Sequence, residues 1–170
     1  MNWNKLTLKQ ITHDEMENYD KNAELVWDGF TPNVYVWEGK TPKLNEYVIV
    51  KTHKYGIPIV EQWIQEEYGT NFSDYDYDEC YWISVPEFNE QTWNKLTTRK
   101  ADEEDKECFG PYIDFVWESL TPDIGEYVIV MFDKYDTPSI DEWTEIGDGI
   151  GFSNYEIDDC YWLSIPEFEE

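Results

Sequence analysis

The sequence repeats itself at an offset of 80 residues: residues 35–88 align without a gap on residues 115–168. Where the first copy reads VWEGKTPKLNEYVIV, the second reads VWESLTPDIGEYVIV, and the copies close with FSDYDYDECYWISVPEF and FSNYEIDDCYWLSIPEF. Solenoid repeats run to about 20–50 residues. A repeat of this length therefore predicts a small folding domain that is present twice.

The pentapeptide WNKLT marks the start of each repeat, at residues 3–7 and again at residues 93–97. We therefore expect a first domain at residues 1–90 and a second at residues 91–170. Because the WNKLT match is offset by 90 residues, the first copy contains ten residues that the second lacks.

A local duplication accounts for these ten residues. Residues 26–35 begin VWDGFTP and are echoed by residues 36–45, which begin VWEGKTP. We expect the added residues to form an extra turn or a short hairpin on the first domain only, so the two halves need not do the same job.

Three segments in each copy have the β-branched and aromatic composition of strands. They are residues 46–50, 57–63 and 80–85 of the first copy and residues 126–130, 137–143 and 160–165 of the second. The middle segments contain Pro58 and Pro138, which suggests an edge position because proline cannot donate to a β-ladder. Asn45 and Gly125 precede the first segments, and since both residue types tolerate positive φ, we expect a left-handed turn residue there.

A short helix is expected near the N-terminus. Four residues recur there at roughly helical spacing: Leu8, Ile11, Met16 and Tyr19. Thr12 and Glu15 have the spacing of a capping box, although an Asp-rich turn would give the same pattern. The helix is placed within residues 7–22. The matching segment of the second copy, residues 101–108, is more acidic and fits a helix less well.

These patterns predict a mainly β (α+β) protein with about four short strands per copy. The expected architecture is two tandem modules of the twisted-sheet or SH3-like type, with a short N-terminal helix, packed as a pseudo-dimer. The tryptophans that recur in both copies are expected in the core: Trp37, Trp63, Trp82, Trp117, Trp143 and Trp162. Cys80 and Cys160 are equivalent and Cys108 has no counterpart, a pattern that indicates reduced thiols.

The charge narrows the possible partners. The chain has 38 acidic and 12 basic residues, a net charge of −26, of which the second copy carries −16. Small domains need a magnitude of only about 2–8 for solubility, so the excess suggests a function. It disfavours nucleic acid and anionic membranes as direct ligands.

An aromatic content of 18% indicates a folded chain, because acidic disordered segments are poor in aromatics. Without an apolar run or signal-peptide pattern, a cytoplasmic protein is expected.

The second copy resembles a known family. Thr121-Pro122, Gly125-Glu126 and Val128-Ile129-Val130, followed by the closing residues 161–167, resemble the phage and prophage family known as domain of unknown function 551. The family's pattern is similar to W…LP…G..VLV with HWMPLPEPP at the end. Thr-Pro replaces its Leu-Pro here, Tyr-Trp replaces its His-Trp, and Asn45 stands for its glycine in the first copy. The resemblance covers about fifty residues of each copy, and it implies a phage or mobile-element origin and no particular chemistry.

Besides a charged binding surface, the residue patterns raise three other classes of site: a metal site, a catalytic site and a glycan or small-ligand site. Asp74, Asp76 and Asp78 alternate like the first ligands of an EF-hand, but glycine is missing at the sixth position and glutamate at the twelfth, so no metal or other cofactor is expected. Recurrent acids (Glu38/Glu118, Glu46/Glu126 and Asp78/Asp158) and only two histidines support no catalytic mechanism, and no enzyme is expected. Glycan or small-ligand binding by the aromatics found in one copy only stays an alternative: Trp27, Phe30, Tyr75 and Tyr77.

The sequence therefore predicts a non-enzymatic interaction protein. An acidic folded surface can imitate the phosphate array of DNA, which presents one charge about every 1.7 Å of axis. The expected partner is a basic host protein, either a nuclease or another defence component, and an immunity protein for a nuclease toxin follows from the same physics. The residues predicted to contact the partner are Asp102, Glu103, Glu104, Asp105, Asp158 and Asp159, with Asp74, Asp76 and Asp78 of the first copy.

Overall fold

The computed structural model describes residues 2–12, 14–15, 25–27, 34–67, 69–74, 77–133, 136–146, 149–154 and 159–168. The chain forms two compact units. Unit 1 comprises Met1–Pro86 together with Glu167–Glu170, and unit 2 comprises Glu87–Pro166. Both consist mainly of antiparallel strands, so the expectation of a mainly β protein is confirmed. The SH3-like description and the pseudo-dimer stay predictions.

Unit 1 is a curled sheet of seven strands. These are β1 (Asn4–Ile11), β2 (Leu25–Trp27), β3 (Val34–Gly39), β4 (Tyr47–Lys51), β5 (Ile59–Glu66), β6 (Gly69–Phe72) and β7 (Glu79–Ser84). Their order across the sheet is β2-β3-β1-β7-β4-β5-β6. The indole Nε1 of Trp37 on β3 donates to the carbonyl of Thr70 on β6 at 3.1 Å, so the curl brings these two distant strands together.

Unit 2 repeats this sheet without an equivalent of β2. Its elements are β8 (Asn94–Lys100), α1 (Glu103–Phe109), β9 (Phe115–Glu118), β10 (Glu126–Met131), β11 (Ser139–Ile146), β12 (Gly149–Phe152) and β13 (Cys160–Ser164). The strand order is β12-β11-β10-β13-β8-β9. The same curl is present, because Nε1 of Trp117 on β9 donates to the carbonyl of Ile150 on β12 at 2.7 Å.

Part of the additional segment of the first copy forms a strand. Strand β2 pairs antiparallel with β3, with Leu25 opposite Val36 and Trp27 opposite Val34. The two Val-Trp pairs of the local duplication, residues 26–27 and 36–37, therefore lie on two strands that pair with each other. In unit 2 the connection from β8 to β9, which is described throughout, contains α1 and no strand.

Each unit has its own aromatic core, in which the side chains of three tryptophans are replicated. In unit 1, Trp63 and Trp82 are 1% exposed and Trp37 is 5% exposed. In unit 2, Trp143 and Trp162 are buried in the same way, whereas Trp117 is only half-buried. The rings meet edge to face, which is a favoured geometry for aromatic pairs: the centroids of Trp63 and Phe72, and those of Trp143 and Phe152, are each 4.9 Å apart.

The helix predicted within residues 7–22 is wrong for the first part of that range. Residues 4–11, which include Leu8 and Ile11, form β1, and Thr12 and Glu15 form a turn in which the Glu15 carboxylate accepts from the Thr12 amide at 2.8 Å. Residues 16–22, on which the rest of the prediction falls, lie outside the described residues. The second copy does contain a helix in its matching segment, where Asp102 caps α1 by accepting from the amides of Glu104 and Asp105.

The edge position predicted from proline was also wrong. Pro58 and Pro138 each precede the first residue of β5 and β11, where a missing amide proton does not interrupt a ladder. Both strands pair on two sides, β5 with β4 and β6, and β11 with β10 and β12. The predicted left-handed turn residues are confirmed, because φ is 64° at Asn45 and 84° at Gly125.

Candidate functional site

The four acidic residues predicted around the start of α1 lie together on unit 2. Asp102, Glu103 and Glu104 are exposed, and the Glu103 side chain keeps 92% of its exposure. Asp105 differs, because its side chain is only 13% exposed and receives both Nη groups of Arg99, Nη2 at 3.0 Å. This hydrogen bond, with a second from the Asp102 amide, lowers the pKa of Asp105 to about 2. Asp105 therefore stabilises the turn, Asp102 caps the helix while staying largely exposed, and the carboxylates of Glu103 and Glu104 are exposed to solvent.

The remaining predicted acids are distributed over both units. Asp159 of unit 2 is exposed and accepts from the Thr98 amide at 3.2 Å. Asp74 and Asp78 belong to unit 1, in the connection between β6 and β7, and both are exposed. Asp76 and Asp158 lie outside the described residues.

Two buried carboxylates were missed by the sequence analysis. Glu61 and Asp141 occupy equivalent positions of the two repeats, and each is 1% exposed. Glu61 accepts from the Ser73 hydroxyl at 2.9 Å, from the Asp74 amide at 3.0 Å and from the Tyr77 hydroxyl at 3.3 Å. The available signal was the alternation within β5, since residue 61 falls on the same face as Trp63.

Asp141 performs the same structural task with a different set of donors. It accepts from the amide of Asn154 at 3.0 Å, from the Asn154 side chain at 2.9 Å, from the Glu142 amide at 2.8 Å and from the Ser153 hydroxyl. The carboxylate thus fixes the start of the connection that follows β12, as Glu61 does after β6. Buried and saturated with hydrogen bonds in this way, the two acids hold loops in place.

A groove is open on unit 2 between β9 and β12, and we call it the β9–β12 groove. Its volume is about 670 Å³. Five apolar side chains contribute to its lining: Phe115, Trp117, Ile146, Ile150 and Phe152. Phe115, Ile146 and Ile150 are 50%, 48% and 44% exposed, which is unusual for apolar side chains that lie side by side.

The equivalent positions of unit 1 are more polar. Tyr35, Glu66 and Thr70 stand where the groove has Phe115, Ile146 and Ile150. Thr70 is 6% exposed, and β2 contacts β6 on this side of the sheet. The two repeats therefore differ in polarity at the place where the first repeat has the additional strand β2.

Among the four aromatic residues proposed for glycan binding, the structure describes the side chain of Tyr77, and this side chain is buried. Tyr77 is 8% exposed, belongs to the core of unit 1, and donates its hydroxyl to Glu61. Phe30 and Tyr75 lie outside the described residues, and the side chain of Trp27 does as well. Of the residues that the structure describes, no three His, Cys, Asp or Glu side chains are grouped so as to hold a metal ion.

Two of the recurrent acids, Glu46 and Glu126, have structural partners. Glu46 and Glu126 each close a turn, accepting from the Lys43 amide at 2.7 Å and from the Asp123 amide at 3.0 Å. Burial raises the pKa of the Cys80 and Cys160 thiols to about 12, so these cysteines are not nucleophiles at neutral pH.

Neither a family model nor a curated protein nor a solved structure matches the chain. The resemblance to domain of unknown function 551 thus stays a prediction. Within the described residues, no helix has the length and apolar character needed to cross a membrane.

Proposed function

We propose that this protein is a non-enzymatic binding protein whose acidic surface binds a basic face of another protein and so excludes DNA from it. The observation that supports this function most strongly is the excess of carboxylates, 38 acidic against 12 basic residues. Ion pairs within the chain cannot neutralise such an excess. The folded surface therefore attracts cationic proteins and repels anionic polymers.

The surroundings of α1 show how little the basic residues compensate the acids locally. Arg99 is shared by Asp102, Asp105 and Glu118, with nitrogen–oxygen distances of 3.7 Å, 2.5 Å and 3.3 Å. Lys106 lies 3.2 Å from Glu103. Asp102, Glu103 and Glu104 thus keep most of their field in solvent, where it can steer a basic partner and raise the association rate.

The proposed partner class combines the negative charge with the phage origin that the resemblance implies. We propose a host nuclease or another DNA-binding defence protein, in which a basic cleft takes up DNA. An immunity protein that blocks a nuclease toxin would use the same electrostatics. In either case the protein acts by occupying the cleft, and needs no cofactor.

Retention of basic proteins from a bacterial lysate tests the proposed function. The immobilised chain should retain a basic DNA-binding protein at about 50 mM salt and release it at about 500 mM salt, where the Debye length falls below about 5 Å. Duplex DNA should compete for the retained protein. Retention that is indifferent to both salt and DNA would contradict the proposal.

A pair of matched variants locates the contact. Glu103→Gln with Glu104→Gln removes two exposed charges from the first turn of α1, and Glu66→Gln with Glu67→Gln removes two exposed charges from unit 1. The first pair should weaken binding of the purified partner at least tenfold, and the second less than threefold. Equal effects of the two pairs would show that only total charge matters and that α1 has no special part.

A further inference from the structure

The two repeats differ at one edge of the sheet. In unit 1 the outer edge of β3 is paired with β2. In unit 2, β9 is the last strand of the sheet, and among the described residues only β8 pairs with it. Alternate residues of an edge strand direct their N–H and C=O groups outward, so the outer ladder of β9 has no strand partner within the part of the chain that the structure describes.

The groove beside this ladder is more apolar than its closed counterpart. Ile150 is 44% exposed where Thr70 is 6% exposed, and Ile146 replaces the acid Glu66. If only solvent covered this surface in unit 2, we would expect polar residues there and apolar residues at the equivalent positions of unit 1, which β2 covers. The reverse distribution indicates that the open copy has an occupant.

We propose that the β9–β12 groove binds an extended segment of a partner protein, which adds to β9 as an antiparallel strand and has an apolar centre flanked by basic residues. Strand β2 provides the template. It pairs with β3 over three residues, from Leu25 opposite Val36 to Trp27 opposite Val34, and it contacts β6 as well. A segment placed on β9 in the same way contacts β12, and its side chains on one face enter the groove. Strand addition of this kind obtains affinity from main-chain bonds and specificity from alternate side chains.

The charges beside the groove select the basic flanks. Asp114 immediately precedes β9, and Glu145 lies on β11 opposite Ile150; both carboxylates are exposed. Lysine or arginine on either side of a short apolar centre would lie near them. A second molecule of this protein is disfavoured as the occupant, since each full chain carries a net charge of −26 and two such chains repel each other. The basic character of the segment rests on the proposed function. Its addition to β9 as a strand is argued independently, from the pairing of β2 with β3.

The test uses the full chain and two synthetic peptides of equal charge. KKLVWKK carries the central residues of β2 between lysines, and KKSGSKK carries the lysines alone. KKLVWKK should bind at least tenfold more tightly in fluorescence anisotropy, and it should slow hydrogen exchange at the amides of β9. Ile150→Thr, which introduces the residue of the first repeat, should abolish this preference. Ile124→Thr makes the same change at a residue 59% exposed outside the groove and should leave the preference intact.

The outcomes distinguish binding in the β9–β12 groove from binding by the acidic surface as a whole. Equal binding of both peptides would overturn the strand-addition proposal and leave the acidic surface as the sole determinant. Tighter binding of KKLVWKK without protection of β9 would also overturn it, because the peptide would then lie elsewhere. A dimer that Ile150→Thr dissociates would identify a second copy as the occupant instead. If neither peptide binds at about 50 mM salt, both the groove and the proposed function fail.

Discussion

The ring of Phe168 packs edge-on against the ring of Tyr81, with centroids 4.7 Å apart and planes inclined by 83°. Phe168 closes the second repeat and Tyr81 belongs to the first, yet both residues are part of unit 1. The equivalent residues of unit 2, Phe88 and Tyr161, pack with centroids 4.9 Å apart at 86°. Each folding unit is thus completed by the closing phenylalanine of the other repeat.

Removing the ring of Phe168 should destabilise unit 1, and removing the ring of Phe88 should destabilise unit 2. Phe168 is 9% exposed and also contacts Trp3, with centroids 5.5 Å apart. Phe168→Ala should lower the free energy of unfolding of unit 1 by about 3 kcal/mol. Hydrogen exchange should accelerate in β1 and β7. Phe88→Ala is the matched variant and should accelerate exchange in β8 and β13. Faster exchange in unit 2 on loss of Phe168 would contradict the assignment.

Asp141 should tolerate no neutral replacement. Asp141→Asn keeps the size of the side chain but replaces one acceptor oxygen with a donor, which then faces the amide of Asn154 or that of Glu142. A buried donor or acceptor left without a partner costs about 1–3 kcal/mol, so we expect a loss of about 2 kcal/mol in urea unfolding followed by tryptophan fluorescence. Glu145→Gln, an exposed change on the same strand, should alter stability by less than about 0.5 kcal/mol. Equal effects would mean that the buried hydrogen bonds contribute nothing.

The pKa of Asp105 should depend on Arg99. Hydrogen bonds from Arg99 and from the Asp102 amide hold this pKa at about 2, below its ordinary value of 3.8. Because the pKa is depressed in the folded state, the stabilisation is present above the ordinary value and is lost as the pH falls through about 2. In Arg99→Ala the pKa should rise, and the loss should occur at higher pH.

An NMR titration of the Asp105 carboxyl carbon measures this change. Lys106→Gln is the control, because Lys106 pairs with Glu103 and leaves Arg99 in place. A pKa that stays near 2 in Arg99→Ala would show that the backbone amide alone holds it down.

The three cysteines should differ in reactivity. Cys108 on α1 is exposed, whereas Cys80 and Cys160 are buried, and burial raises the pKa of both thiols to about 12. Ellman's reagent at pH 8 should therefore modify one thiol per folded chain and three in denaturant. Cys108→Ser should remove the fast reaction completely. Rapid modification of a second thiol in the folded protein would show that a core opens readily.

The sequence predicted those features that local chemistry decides. The strands that begin near Tyr47 and Tyr127 have β-branched residues in an unbroken run, and the preceding Asn45 and Gly125 reveal the turn. Recurrence of a tryptophan at an offset of 80 residues likewise indicated most of the core. Strand β1 was mistaken for a helix because Leu8 and Ile11 are three residues apart, and its pairing partners are distant in the sequence.

Features that depend on distant partners could not be predicted. An acid within a strand is usually exposed, and the donors that explain the burial of Glu61, which include the hydroxyls of Ser73 and Tyr77, lie 12 and 16 residues away. The repeat alignment identifies Phe88 and Phe168 as equivalent, but equivalence does not tell on which copy a ring packs. The β9–β12 groove required both facts at once: the extra strand of one copy, and the curl that brings the edges of the sheet together.

The position of Phe168 also has a consequence for biosynthesis. Unit 1 is begun first by the ribosome, but the ring that completes it is translated about eighty residues after Pro86. At about 5–20 residues per second this delay amounts to roughly 4–16 s. During that interval Trp3 and Tyr81 lack the ring of Phe168, so unit 1 emerges with all its described strands but without a residue of its packing, which arrives with the end of the other repeat.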